Sequence, residues 1–503
     1  MTSSHINPAQ HKQLFLDDHA IASMSNVTRT LHQPDKHGPI LKADRSREQV
    51  YVQSGNTPQW NSEKEIWEWW YDAHYAIPSG EIVGTESSRK HYATSRDGVH
   101  WETPSLGLYQ RQGSKDNNIA YDSNLEFLTR RGVYNPPEIT EQHLYHVIRD
   151  ERDDDPQRRY KGLFSDTRNM GRLPGVSPDG FRWTLLNAPP IPSEDTSNLI
   201  HDEISDQYVA TVKQRTVWGR SLWVSTSIDF VNWTEPKLAL HTDEIDRENR
   251  KRRIQEVVEN PAYLTPPVLE DTDYIAQLYM MPLMPYEGVY IGFPLLFNPA
   301  GPDPPQMNHC GINQVELAVS RDLYHWDRVA DREVFIGVEP WDGVNYGTAQ
   351  VAVCSRPIVH ENREIRIYHN AHRFRGHQSI YSEDYAEYFN DAGALHLSIL
   401  RLDGFVSLDT EGEGTVVTER FTLNGTDLYV NADVPRGELR AEILDAETMQ
   451  PFPGLSEREC LPLNGDHLRG KLMWKDSPRL VSEKVVRLRF ILRGAKLYAF
   501  WLE

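Results

Sequence analysis

The sequence predicts an all-β protein, a five-bladed β-propeller followed by a C-terminal β-sandwich. A short motif of serine, aspartate and tryptophan recurs along the chain, and strand-like stretches bounded by Gly, Pro, Asn and Asp lie between its copies. Long apolar stripes with the 3.6-residue period of helices are missing from the sequence. Four or five four-stranded units within roughly 360 residues are typical of a propeller.

The repeated motif is Ser-x-Asp-x-x-x-Trp, and each copy has the composition of a hairpin turn. An aspartate accepts hydrogen bonds from turn amides, and the tryptophan can pack back over the turn. We therefore interpret the four aspartates as structural and not catalytic. The copies are Ser95, Asp97 and Trp101; Ser177, Asp179 and Trp183; Ser227, Asp229 and Trp233; and Ser320, Asp322 and Trp326. A degenerate fifth copy is residues 402–407.

The remaining elements follow from alternation and composition. Strands are predicted at residues 49–53, 66–71, 206–212 and 364–368, which are β-branched, aromatic or alternating. One charged helix is predicted at residues 242–258 as a solvated insertion. The domains are then an N-terminal extension, 1–45, packing on the sandwich or closing the ring, a propeller, 46–408, and a sandwich, 409–503.

Composition excludes several classes of function. Lys and Arg number 53 against 73 Asp and Glu, a net charge of −20, so nucleic acid is excluded as a partner. No stretch is apolar enough to span a bilayer, and residues 1–13 lack the apolar core of a signal peptide. The expectation is a cytoplasmic protein, or a secreted or periplasmic one if a leader has been removed; a homo-oligomer is left open. Three widely spaced cysteines, Cys310, Cys354 and Cys460, predict free thiols.

Several stretches together resemble the five-bladed propeller glycoside hydrolases, the group of invertases, levanases, arabinanases and β-xylosidases. The resemblance includes uncharacterised bacterial members with a C-terminal β-sandwich. The stretches are Leu-Phe-Leu-Asp-Asp at 14–18, Ser-Arg-Asp-Gly-Val-His-Trp at 95–101, Asn-Asn-Ile at 117–119, Arg-Arg-Tyr-Lys-Gly at 158–162 and Tyr-Glu-Gly-Val-Tyr at 286–290. The Asn-Asp-Pro, Arg-Asp-Pro and Glu-Cys signatures of invertase-like enzymes are not intact here. The resemblance implies the fold and a carbohydrate substrate.

Glycoside cleavage needs a carboxylic acid to protonate the leaving oxygen and a carboxylate to attack or activate water. Three candidates come from separate predicted blades. Glu48 precedes a strand, although it also fits a solvated loop. Asp195 opens the third blade, where the resemblance implies an orienting acid, although a turn role fits equally. Glu287 lies in an aromatic stretch where desolvation would raise its pKa, the alternative being a blade edge.

Substrate binding is assigned to residues on several blades: Asn118, Asp150, Arg158, Asp342 and His372. Arg158 could also form surface ion pairs. The run His369, His372 and His377 looks like a metal site, but no acidic ligand has fitting spacing, so neither metal nor cofactor is predicted. The leading hypothesis is a glycosidase acting on terminal sugars. The alternatives are a lectin-like propeller without catalysis and a propeller used for protein interaction.

Overall fold

The computed structural model describes residues 6–75, 88–122, 143–166, 170–263, 274–300, 311–375, 383–476 and 483–503. Cys310 and His377 lie outside the described residues. Within them, almost every regular element is a strand, which confirms the all-β prediction. Cys354 and Cys460 are buried free thiols.

Most of the chain forms antiparallel units of four strands each. The first unit contains β5 (Gln49–Gln53), β7 (Ile66–Tyr75), β8 (Ser88–Ser95) and β9 (Ile119–Tyr121), with β6 (Gln59–Asn61) pairing on β7. The second contains β10 (Leu144–Arg149), β11 (Tyr160–Asp166), β12 (Gly171–Ser177) and β13 (Thr184–Leu185), with β14 (Ile191–Pro192) pairing on β12. The third contains β15 (Ser197–Asp202), β16 (Gln207–Thr216), β17 (Gly219–Ser227) and β18 (Lys237–Leu240).

The fourth unit has the same antiparallel order, but its first three strands are each interrupted. They run as β19 (Gln277–Met280) with β20 (Leu283–Tyr286), β21 (Val289–Gly292) with β22 (Leu295–Pro299), and β23 (Gly311–Val315) with β24 (Ala318–Ser320), before β25 (Trp326–Arg328). The fifth unit contains β26 (Gln350–Val353), β28 (Glu364–His372), β29 (Gly393–Arg401) and β4 (Asp35–Lys42), with β27 (Ile358–His360) pairing on β28.

Contacts between neighbouring units join the last unit back to the first. The side chain of Asn56, just after β5, accepts a hydrogen bond from the amide of Val147 on β10 at 2.7 Å. Asn370 on β28 likewise accepts from the amide of Ser54 at 2.7 Å, joining the fifth unit to the first. The described residues thus supply five four-stranded units for a propeller; the blade number itself stays a prediction.

The N-terminal segment contacts both predicted partners. Strand β4 is the outer strand of the fifth unit and pairs with β29. A strand from the N-terminal segment therefore completes the last of the five units. Strands β1 (Gln13–Leu14), β2 (Ile21–Ser25) and β3 (Thr28–Leu31) instead pair with strands near the C-terminus. The domain boundaries stay predictions.

Hydrogen bonds join the C-terminal strands into one sheet, and their arrangement as a β-sandwich stays a prediction. Strands β30 (Val406–Thr418), β31 (Phe421–Thr422), β32 (Leu428–Asp445), β33 (Leu463–Leu472) and β34 (Val485–Leu502) form one hydrogen-bonded sheet with β1 to β3. The two 18-residue strands, β32 and β34, shift register between Asp433 and Glu438. Such irregularities bend strands, which lets a single sheet enclose its own apolar core.

The repeated motif forms the predicted turns. Asp97 accepts hydrogen bonds from the amides of Val99 and His100, both at 2.8 Å, and Ser95 donates to it. The aspartates of the other three copies make the equivalent bonds. Their carboxylates are occupied by turn amides, in agreement with a structural role.

The predicted helix is α1 (Glu244–Glu259), capped by Asp243, and it is more than a solvated insertion. It carries Arg253, which forms a buried ion pair with Glu316 at 2.6 Å. In the described part of the chain, this element is too short and too polar to cross a membrane. Short 3-10 helices occur at Arg45–Arg47, Pro156–Arg158, Ala330–Arg332 and Glu383–Tyr388.

Candidate functional site

Polar and aromatic side chains from all five units meet in one connected group, which we call the central cluster. Its members are Tyr51, Asp72, His74 and Lys90 of the first unit; His143, Tyr145 and Arg172 of the second; Asp195, Lys213 and Arg220 of the third; Tyr279 and Phe297 of the fourth; and Gln350, His372 and Arg375 of the fifth. Most lie in strands or within three residues of a strand end.

In the first unit, Asp72 on β7 lies directly across the strand pair from Lys90 on β8, with a 2.9 Å ion pair between them. His143, just before β10, contacts the same carboxylate at 3.1 Å. Burial would raise the pKa of Asp72, but Lys90 and His143 outweigh it and hold that pKa below its ordinary value. Asp72 therefore stays ionised and fixes the His143 ring.

Arg172 on β12 connects the second unit to the third. Its side chain is buried, lies 4.6 Å from the ring of Tyr145, and donates to the hydroxyl of Ser197 at 2.8 Å. It also donates to the backbone carbonyl of Asp195 at 2.5 Å. The guanidinium thus positions the backbone from which the Asp195 side chain projects.

Asp195 lies where the third and fourth units meet. Its carboxylate is 56% exposed, forms an ion pair with Lys213 on β16, and accepts a hydrogen bond from the hydroxyl of Tyr279 at 3.2 Å. Lys213 is almost completely buried, 4.0 Å from the centre of the Tyr279 ring. The half-exposed carboxylate is accessible to a ligand, and Lys213 and Tyr279 hold it in position.

The fifth unit closes the cluster. Arg375 donates to the side-chain carbonyl of Gln350 at 2.6 Å and lies 4.1 Å from the ring of Phe297. His372 contacts Tyr51 at 5.3 Å between ring centres, and Tyr51 in turn stacks on His74 at 4.0 Å. Within the described residues, Nε2 of His372 has no hydrogen-bond partner. The cluster is therefore continuous from the first unit to the fifth and back.

Two of the predicted site residues belong to this cluster, Asp195 and His372. Burial, reinforced by Arg375, lowers the pKa of His372 to about 4, so its ring is neutral at pH 7. Among the described residues, no three His, Cys, Asp or Glu side chains are grouped so that they could hold a metal ion.

Glu287 was expected in the central pocket, and the structure corrects that expectation. It lies in the tight turn between β20 and β21 with a φ of 48°. Its carboxylate accepts from the backbone amide of Lys12 at 2.9 Å, and the Lys12 ammonium also binds Asp403. The aromatic stretch around Glu287 is buried against the N-terminal segment. The burial inferred from sequence therefore comes from packing between these two segments and not from a substrate pocket.

Glu48 and Asp342 are exposed residues outside the cluster. Glu48 has a φ of 62°, caps the 3-10 helix at Arg45–Arg47, and accepts from Gln112 at 2.5 Å. Asp342 accepts from the amides of Val344 and Asn345, and these bonds lower its pKa. Glu48 is a helix cap and Asp342 accepts turn amides, as structural residues do. The catalytic and binding roles assigned to them from sequence stay predictions.

Asp150, Arg158 and Asn118 have structural contacts. Asp150, at the far end of β10 from His143, pairs with Arg152 at 3.0 Å and with Lys161 at 3.4 Å. Arg158 forms an ion pair with Asp153 at 2.8 Å, the alternative to sugar binding that the sequence left open. Asn118 is buried and donates to Tyr71 and to the backbone of Tyr92, both at 2.9 Å. These contacts are structural, and the binding roles assigned to the three residues from sequence stay predictions.

Sequence reasoning missed most of the cluster because its charged members lie inside strands. Asp72 follows Trp-Trp-Tyr, and Lys213 follows Val-Ala-Thr-Val. A charge in an otherwise apolar strand is a signal of a buried polar site, since such a residue is almost never fully buried without a partner. That signal was available in the sequence.

Buried imidazoles near the units' inner strands predict an acid-sensitive fold. Burial lowers the pKa of His91 and His372 to about 4, of His146 and His369 to about 3, and of His396 to about 2. The histidine pKa in the unfolded chain is about 6.5. Below that pH the imidazoles bind protons in the unfolded chain but stay neutral in the folded chain. The free energy of unfolding should therefore fall as pH decreases from 6.5 to about 4, by up to about 1.4 kcal/mol per pH unit for each imidazole.

Denaturant unfolding at several pH values measures this slope. His396→Asn should reduce it, whereas the control His100→Gln should not, because the His100 side chain is 88% exposed. An unfolding free energy that is constant between pH 6.5 and 5 would contradict the prediction.

No family model and no curated protein sequence matches the chain. Among solved structures, it is similar to an N-acetylgalactosamine deacetylase from F. plautii in complex with blood group B trisaccharide, with 11% identity, a TM-score of 0.41, and coverage of 76% of this chain and 97% of that one. A glycosyl hydrolase from Bacteroides ovatus has 13% identity, a TM-score of 0.41, and coverage of 78% and 96%. The structural neighbours include glycoside hydrolases, the group that the sequence also resembles. At these identities the similarity concerns the fold and not the activity.

Proposed function

We propose that the protein is a carbohydrate-active enzyme, a glycoside hydrolase that cleaves terminal sugar residues from an oligo- or polysaccharide in the central cluster. The observation that carries the proposal is the convergence of all five units on one group of polar and aromatic side chains containing two carboxylates. Sugar recognition needs both components, because rings stack on aromatic faces and hydroxyls bond to polar groups.

In this proposal Asp195 is the base or nucleophile. It is the more exposed of the two carboxylates, and Lys213 and Tyr279 hold it in one orientation. An ionised carboxylate in a fixed position can attack the anomeric carbon or remove a proton from water.

The proton for the leaving oxygen has a different source. Asp72 is ionised, so it is unsuited to donate a proton, but His143 lies 3.1 Å from it with an 18% exposed side chain. A carboxylate beside an imidazole holds the ring in one orientation and decides which ring nitrogen faces the substrate. We assign proton donation to His143, with Asp72 as its positioning residue.

The second candidate is a carbohydrate-binding protein without catalysis. The observation that favours it is that both carboxylates are held by cations, Asp72 by Lys90 and Asp195 by Lys213, as in structural ion pairs. Such a site would bind sugars through the same aromatic and polar groups.

Parallel turnover and binding measurements distinguish the two functions. A panel of aryl glycosides and of plant and algal polysaccharides is tested for product release, and the same ligands are tested for binding by calorimetry. We expect at least one glycoside to be cleaved at a rate that His143→Gln reduces. Binding without product across the panel would favour the second candidate, and neither binding nor product would contradict both.

A further inference from the structure

The third unit carries a tryptophan at the tip of the turn between β16 and β17. Thr216 and Gly219 pair at the base of this turn, so Val217 and Trp218 alone connect the two strands. Gly219 has a φ of 81°, a left-handed conformation that glycine adopts without strain. Two-residue turns favour Asn, Asp and Gly at their tips, so the turn itself does not require a tryptophan.

This turn lies at the same end of the third unit as Asp195. Asp195 comes just before β15, whose first residue, Ser197, pairs with Val212 on β16. From that pair, β16 continues past Lys213, the ion-pair partner of Asp195, and ends at Thr216. At about 3.3 Å per residue, the turn begins about 10 Å beyond Lys213. Trp218 is therefore placed beside the carboxylate proposed to react, one step further out from the central cluster.

The same connection is longer in each of the other units. It comprises residues 76–87 in the first unit, 167–170 in the second, 300–310 in the fourth and 373–392 in the fifth. A two-residue turn extends little beyond the strands that it joins. The third unit therefore leaves space beside Asp195 for a ligand larger than one sugar.

The backbone of the turn is fixed, whereas its side chains are accessible. The hydroxyl of Thr242, which is fully buried, lies 3.3 Å from the carbonyl oxygen of Trp218 and 2.9 Å from that of Ala276. Trp218 is partly exposed, and its ring is within 10° of parallel to the exposed ring of His241, at 5.9 Å between centres. Val217 is 90% exposed. Two aromatic faces are thus held in a fixed orientation at the solvent boundary.

We infer that Trp218 and His241 bind a further sugar of the substrate chain, beyond the sugar held at Asp195. Sugar rings stack on aromatic faces, and a face that is already fixed loses little conformational freedom on binding. The substrate class is therefore a chain of at least two sugars. This assignment rests on the proposed function for the sugar at Asp195, whereas the aromatic pair accounts for the preference for a chain.

Sugar chains of increasing length test the inference by calorimetry on the full-length protein. The probes are xylose, arabinose, mannose and galactose, each as the single sugar and as chains of two to four units. We expect the sugar that binds best to bind at least about tenfold more tightly as a chain than as a monomer. For a chain that is cleaved, the ratio of KM values is compared instead.

Variants locate the second sugar. Trp218→Ala should remove the gain in affinity with chain length and leave the affinity for the monomer unchanged, whereas Trp218→Phe, which keeps an aromatic face, should retain part of the gain. Trp60→Ala is the matched control. Trp60 is 43% exposed, but it pairs with Trp67 at the opposite end of the first unit's sheet, beside the turn after Ser95. It should leave the gain unchanged.

Thermal unfolding shows whether each variant is folded. If Trp218→Ala does not fold, His241→Ala replaces it, because His241 is exposed. His241→Ala should reduce the gain with chain length, and an unchanged gain in that variant would overturn the inference.

The outcomes separate the inference from the proposed function. Equal affinity for monomers and chains overturns the inference and leaves a hydrolase that recognises a single sugar. A gain that persists in a stably folded Trp218→Ala variant also overturns it, because the further sugar then binds elsewhere. A gain that Trp218→Ala removes, without cleavage of any chain, supports the inference and contradicts the proposed hydrolysis. Absence of binding for every sugar at every length overturns both.

Discussion

Asp195→Asn should lower kcat by about 10²- to 10⁴-fold on any glycoside that the protein cleaves, with a smaller change in KM. Asparagine keeps the size of the side chain but cannot attack the anomeric carbon or accept a proton from water. The substitution also leaves Lys213 without its carboxylate partner. Steady-state kinetics, with thermal unfolding of the same preparation, measure both effects.

Two kinds of control isolate the chemical contribution. Lys213→Met combined with Asp195→Asn removes both charges, so a kcat that remains low in a stably folded double variant assigns the loss to the carboxylate. Glu287→Gln and Glu48→Gln neutralise carboxylates in a turn and at a 3-10 helix cap, and should retain full turnover. Normal turnover in Asp195→Asn would remove Asp195 from the mechanism, whereas loss of turnover in a stably folded Glu287→Gln variant would return Glu287 to it.

Glu316→Gln should lower the free energy of unfolding by about 3–5 kcal/mol, because it breaks a buried ion network. Glu316 is fully buried between Arg253 of α1, at 2.6 Å, and Arg328 of β25. Arg328 also pairs with Asp246 at 3.3 Å. Glu316→Gln leaves the buried guanidinium of Arg253 without a carboxylate partner among the described residues, and leaves Arg328 with Asp246 alone. Urea unfolding measures the loss.

Glu244→Gln is the matched control. Glu244 also forms an ion pair on α1, with Arg247, but its side chain is 65% exposed. It should change stability by no more than about 0.5 kcal/mol. Glu316→Gln combined with Arg253→Met removes one charge of each sign and should recover part of the lost stability. A loss below about 1 kcal/mol for Glu316→Gln would show that the network is not as buried as the structure indicates.

The local structure could be predicted because it depends on neighbouring residues. The turns at Asp97 and Asp179 form from an aspartate and amides two or three residues later, and the helix at Glu244–Glu259 follows its own charge pattern and cap. The strand Gln49–Gln53 was predicted with its observed boundaries. All of these depend on contacts within a few residues.

The site could not be predicted equally well because exposure and partners depend on residues far apart in the chain. Glu287 and Asp195 both looked like isolated carboxylates beside strands. Only the folded chain places Lys12 against Glu287, across 275 residues, and Tyr279 against Asp195, across 84 residues. Local sequence carries no information about such partners.

The sequence by itself therefore determined that the chain is built of β-strands, hairpin turns and one charged helix, because those elements arise from short-range hydrogen bonding and side-chain periodicity. The tertiary structure decided which charges are buried together. Asp72, Arg172, Lys213 and Arg375 come from different units, and only the packing of those units brings them into one low-dielectric environment, where their electrostatic interactions become strong.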